Sequence, residues 1–146
     1  MDELTLSASP RILHVLIATQ SQHTGIALAS LLGDPDDIFC EIVGMDGGLP
    51  LVAFQLRRHC VDVVLLDLEP WSVKALYAVA VMKAYCPPPL VLALVHAASE
   101  PIRRQCQEAG VDHLLDRTAD LGRLQSVLGE YASTRRLRAP HGREAL

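Results

Sequence analysis

Asp67 is the residue best placed to do chemistry. It closes the run Val61-Asp62-Val63-Val64-Leu65-Leu66-Asp67, which is too short for a helix and reads as a strand buried on both faces of a parallel sheet. Ligands and reactive groups gather at the carboxyl ends of such strands, so a carboxylate there is a candidate site. The same aspartate would equally serve to open a turn. His23 and His96 could join Asp67 around a transition metal, but imidazoles at element ends are more often simply hydrogen-bonded, and no metal is expected. Met45-Asp46-Gly47-Gly48 lacks the spacing and the lysine of a phosphate-gripping glycine loop and reads as a plain loop. No Ser-His-Asp or Cys-His set can be assembled from spacing, so no catalytic residue is assigned and the chain is not read as an enzyme.

An alternation of strand and helix would have to position Asp67. Apolar runs at Ile12 to Ala18, Phe39 to Val43, Val61 to Asp67, Leu90 to Val95 and Val111 to Leu115 read as five strands. Between them, Thr24 or Gln22 would cap a helix carrying Ile26, Ala27, Leu31 and Leu32, and Leu51, Val52, Ala53 and Leu56 mark a second helix closing near Cys60. A third would begin at Ser72 and stop near Cys86, before Pro87-Pro88-Pro89. A fourth, capped by Ser99, would run to Ala109 and end at Gly110. Leu121, Leu124, Val127, Leu128 and Tyr131 mark the last. Short connections and right-handed crossovers then predict a doubly wound, flavodoxin-like α/β domain of strand order 2-1-3-4-5, with its crevice at the ends of strands 1 and 3.

Composition fits one such domain. The chain has 146 residues, half of them apolar, enough for one core. Its longest apolar stretches fall short of the ~20 residues of a membrane span, and Met1-Asp2-Glu3 does not open like a secretory signal, so a cytoplasmic setting away from membranes is expected. Cys40, Cys60, Cys86 and Cys106 have neither disulfide nor zinc spacing and read as free thiols. Net charge is −4, from 13 basic and 17 acidic residues. Residues 135–146 hold four of the arginines and one glutamate, which leaves the body nine basic against 16 acidic groups. That acidic body excludes direct nucleic-acid binding by the domain. The end, 134–146, reads as a basic flexible tail or linker.

The order and spacing of these pieces resemble a response-regulator receiver domain of the CheY-like superfamily, over residues 11–133. The resemblance rests on His14-Val15-Leu16-Ile17-Ala18, on the run ending at Asp67, and on Gln107-Glu108-Ala109-Gly110-Val111-Asp112. It implies that Asp67 is the phosphoacceptor equivalent. It also exposes departures that make this a degenerate pseudo-receiver. Thr19 and Gln20 stand where receivers carry the acidic pair that holds Mg²⁺. Val95 stands at the hydroxyl position of the fourth strand and Leu114 at the switch aromatic of the fifth. Arg117 replaces the phosphate-contacting lysine, and Thr118 the proline after it.

Phosphoryl transfer to a carboxylate crowds negative charge, and Mg²⁺ with cationic side chains neutralises it. Asp67 and the Glu69 carbonyl alone would make a poor magnesium site, so Mg²⁺ binding is expected to be weak or absent. Without a competing metal, Arg117 becomes the natural partner of Asp67, in a standing ion pair at the crevice. If exposed, the pair would contribute no more than ~1 kcal/mol.

The helix after Asp67 is apolar on every side, and Leu76, Tyr77, Val79, Val81 and Met82 predict an interface, most simply a homodimer. The expected function is an atypical receiver acting as a protein-interaction and dimerisation module in bacterial two-component phosphorelay signalling. Its partners would be other signalling proteins, among them a histidine kinase. One alternative is a receiver still phosphorylated at Asp67, the regulatory part of a transcription regulator, since Pro140 to Leu146 faintly resembles the opening of a helix-turn-helix domain. Another is a flavodoxin-like small-molecule binder using the same crevice.

Overall fold

Apolar residues two apart decide which face of the sheet each strand residue serves. The computed structural model describes residues 12–32, 38–44, 61–68, 73–84 and 88–144, without the side chains of residues 43, 44, 73, 74 and 135–144. Five strands, β1 (Leu13–Thr19), β2 (Ile38–Gly44), β3 (Val63–Asp67), β4 (Leu90–Val95) and β5 (His113–Asp116), form one sheet in the order β2-β1-β3-β4-β5. Every neighbouring pair is parallel, and the register sets Val15 beside Val63 and Val63 beside Leu90. This is the doubly wound, flavodoxin-like order that the sequence predicts.

Four described helices cover the sheet: α1 (Gln22–Leu32), α2 (Val73–Lys83), α3 (Glu100–Ala109) and α4 (Leu121–Glu144). Leu16, Ala18, Val64, Leu66, Val91, Ala93 and Val95 meet the α2 and α3 side chains Leu76, Val79, Met82 and Cys106. The alternate residues Val15, Ile17, Val63, Leu65, Leu92, Leu94 and Leu115 meet Leu28 and Leu32 of α1 and Leu124 and Leu128 of α4. Because β3 is paired on both edges and covered on both faces, all five of its residues are buried. The strand that carries Asp67 is therefore held on every side.

At the lower rim, the starts of two strands are secured in the same way. The His14 N–H donates to Asp62 Oδ2 at 2.8 Å, and the Asp62 N–H returns to the His14 carbonyl at 2.9 Å. The Val91 N–H donates to Asp112 Oδ2 at 2.8 Å, and the Asp112 N–H to the Val91 carbonyl at 2.9 Å. Each aspartate thus satisfies a strand-end donor that would otherwise turn to water. Lys83 Nζ also reaches Asp112 Oδ2, at 2.6 Å, and the Pro89 carbonyl, at 2.9 Å.

The caps divide. Ser99 caps α3, its hydroxyl accepting from the Ile102 N–H, and Gly110 ends that helix at φ 103°, as the sequence implies. For α1 the expected caps, Gln22 and Thr24, lie one and three positions past the actual one. Ser21 is the cap, its hydroxyl accepting from the Thr24 N–H at 3.1 Å. The inward face of α1 also differs from the expected one: Gly25, Leu28 and Leu32 are buried, whereas Ile26 and Leu31 face outward. The expected helix at Leu51 to Leu56, the Ser72 cap and the stop near Cys86 lie outside the described residues. Cys40 and Cys106 are free thiols, and burial pushes both thiol pKa values up. No helix among the described residues is long and apolar enough to cross a membrane.

Candidate functional site

The crevice lies where the winding of the sheet reverses, at the carboxyl ends of β1 and β3. Thr19 is the last residue of β1 and Asp67 the last of β3. They are 2% and 4% exposed, so the carboxylate is almost removed from water. The Thr19 hydroxyl donates to Asp67 Oδ2 at 2.7 Å and accepts the Ser21 N–H at 3.1 Å. Its proton is thereby directed at the carboxylate. A buried charge needs such donors, because desolvation without them costs several kcal/mol.

Arg117 supplies the opposite charge. Its Nη1 stands 3.6 Å from Asp67 Oδ1, with the arginine side chain 31% exposed and the Asp67 side chain 2%. The ion pair expected between them is present, at a length greater than a hydrogen bond's. Arg117 reaches this position because its own N–H extends the β4–β5 ladder, donating to the Val95 carbonyl at 2.8 Å.

The other expected crevice residues fall differently. Gln20 is exposed beside Thr19. Val95 is packed into the core and Leu114 lies against the same cluster, so neither offers a polar group to the crevice. Glu69 lies outside the described residues. These groups do not suit Mg²⁺. One carboxylate is taken by a hydroxyl and a guanidinium, and the neighbouring residues that would complete an oxygen shell are neutral. His23 and His96 are exposed, and no three His, Cys, Asp or Glu side chains group as metal ligands among the described residues.

The expected interface on α2 is corrected in part. Leu76, Val79 and Met82 point into the core and have no surface left to give a partner. Tyr77, 64% exposed, and Val81, 36% exposed, stand one helical turn apart on the outer face with Ala80 between them. An apolar helix carries no sequence signal that separates its two faces.

Asp116, at the end of β5, was missed. Its Oδ1 accepts the Thr118 N–H at 2.8 Å, the Thr118 hydroxyl at 2.6 Å and the Ala119 N–H at 3.1 Å. Its Oδ2 accepts the Ala97 N–H at 3.3 Å. An aspartate two residues before a threonine, just ahead of a helix, is a turn signal that could have found the local part. The hydrogen bond from the Thr118 hydroxyl, followed by the backbone bonds, pulls the Asp116 carboxyl down to about 2. The folded value lies below the unfolded one, so this stabilisation is complete above about pH 4 and is lost as pH falls through the folded value. Wild-type melting temperature should therefore fall more steeply on acidification over that window than that of Asp116→Asn. Parallel curves would contradict it.

Comparison with known proteins places the fold. No family model and no curated protein matches the chain, but solved structures do. A response regulator from Thermotoga maritima is 17% identical, with a TM-score of 0.71 over 84% of this chain and 99% of that one. A putative pilus assembly-related protein from Burkholderia pseudomallei is 19% identical, with a TM-score of 0.70 over 84% and 90%. The signal receiver domain of a putative LuxO repressor protein from Vibrio parahaemolyticus is 13% identical, with a TM-score of 0.72 over 88% and 96%. At these identities the likeness is one of architecture: the chain shares the doubly wound fold of these structures.

Proposed function

We propose that this chain, built on the receiver fold, is an atypical receiver that works as a protein-interaction module in bacterial two-component signalling, with Mg²⁺-dependent phosphorylation impaired. The observation that carries this reading is the engagement of Asp67. Both its oxygens have partners within the chain, Thr19 at 2.7 Å and Arg117 at 3.6 Å. A phosphoacceptor must share its oxygens with Mg²⁺ before the donor's phosphorus can be attacked, and here one oxygen is held by the Thr19 hydroxyl while Thr19 and Gln20 offer no carboxylate to the metal. Residues 11–133 would be the interaction unit and 134–146, which begin within the last turns of α4, a basic tail or linker. The partners would be other signalling proteins, including a histidine kinase, and a second copy meeting through Tyr77 and Val81.

The experiment is incubation of the protein with a small phosphodonor and Mg²⁺, read by intact mass, with light scattering on the same sample. The expected result is no phosphoryl adduct and a dimer whose proportion does not respond to the donor. An adduct that disappears in Asp67→Asn would replace this reading with that of a phosphorylated receiver. The small-molecule alternative has less support. An open cleft of about 590 Å³ between α1 and β2 is lined by Ile26, Phe39, Cys40 and Ile42, not by Asp67, Thr19 or Arg117.

A further inference from the structure

The turn after β5 has a bond set that the receiver pattern forbids. That pattern places a proline at position 118, and proline has neither an N–H nor a hydroxyl. Thr118 has both, and Asp116 Oδ1 accepts both, at 2.8 Å and 2.6 Å. The other oxygen of the same carboxylate crosses to a different loop and accepts the Ala97 N–H at 3.3 Å. Ala97 has φ 65°, a left-handed conformation that a residue with a Cβ keeps only where its surroundings hold it. Asp116 is one of the groups holding it. Its own N–H is in turn fixed by Asp120 Oδ2 at 3.1 Å, in the turn before α4.

Two consequences follow, one for Arg117 and one for α3. Its backbone is clamped between the Val95 carbonyl, at 2.8 Å, and the Asp116 turn, so the guanidinium starts from a fixed point. Ala97 lies two residues before the Ser99 cap of α3, so fixing Ala97 also fixes where that helix begins.

We infer that Asp116 and Thr118 form a permanent strap between the β4–α3 loop and the β5–α4 turn, which positions Arg117 over Asp67 and sets the start of α3 without phosphate. Asp116 is a positioning residue that acts through Arg117 and Ala97. The inference deepens the one-state reading above and rests on it for its consequence, a surface that a partner always finds in the same form.

Hydrogen exchange on the full chain tests it, comparing wild type with Asp116→Ala, Thr118→Pro and the conservative Thr118→Ser. Asp116→Ala should raise exchange at Ala97 and Ala119 by about tenfold and leave the Leu65 and Leu66 amides unchanged. Thr118→Pro should do the same, and Thr118→Ser should behave as wild type. In Asp116→Ala the Arg117 Nε–H should also gain fast motion by ¹⁵N relaxation, an effect that loss of overall stability alone would not confine to this side chain. Unchanged exchange at Ala97 in Asp116→Ala would overturn the strap, as would an equal rise throughout the sheet. The two proposals fail separately. A phosphoryl adduct on wild-type Asp67 removes the one-state reading and leaves the hydrogen bonds of the strap standing, whereas an indifferent Ala97 amide removes the strap alone.

Discussion

Replacing Thr19 and Gln20 together by aspartate is expected to make the protein responsive to magnesium. In the wild type the Thr19 side chain, 2% exposed, donates to Asp67. A carboxylate in its place reverses that contact and sets two like charges at one poorly hydrated point. Without a cation, the double variant should lose about 1–3 kcal/mol of stability through repulsion and the lost hydrogen bond. With Mg²⁺, three carboxylates converge on one crevice and the metal binds the folded state alone. At a hundred times its dissociation constant that adds about 2.7 kcal/mol. Melting of the double variant should therefore rise with added Mg²⁺ while the wild type stays level. The phosphodonor, expected to leave the wild type unmodified, should label Asp67 of the double variant. If both proteins respond to Mg²⁺ equally, Thr19 and Gln20 are not what sets the metal chemistry of this crevice.

Gly25→Val should be the most damaging single change near the site. A Cβ at position 25 would lie 2.7 Å from Cγ2 of Ile42 and 3.2 Å from Cγ2 of Thr19. Neither neighbour can easily yield. Both are β-branched and stiff at χ1, and Thr19 is further tied by its hydroxyl to Asp67. Valine adds two methyl groups to that clash, so α1 must lift from the sheet at a cost of about 3 kcal/mol or more. Denaturant unfolding would show it as a fall in the midpoint. An unchanged midpoint would mean that α1 does not need its close approach to β1 and β2.

The same glycine shows why parts of the architecture could be read from residues and parts could not. Strand runs such as Leu90 to Val95 carry their own period and length, and Ser99 and Gly110 mark their helix ends by local chemistry. Those elements need no knowledge of neighbours. The inner face of α1 does, because Gly25 is inside for want of a side chain while Ile26, more apolar, is 55% exposed. Tyr77 and Met82 pose the same problem on α2, where uniform hydropathy carries no phase. At the site, the pairing of Asp67 with Arg117 was legible because strand ends converge. Asp116 was only half legible, since Ala97, its partner across the loops, lies 19 residues away.

The closed circuit of Thr19, Asp67 and Arg117 has a consequence for how the cell could govern such a protein. On the proposed reading its charges are settled internally, so that a small ion or a transferred group would gain little by entering. What still varies is abundance. Occupancy of a partner would then follow copy number against the dissociation constant, and synthesis and degradation would carry the message that chemistry at the carboxylate carries elsewhere.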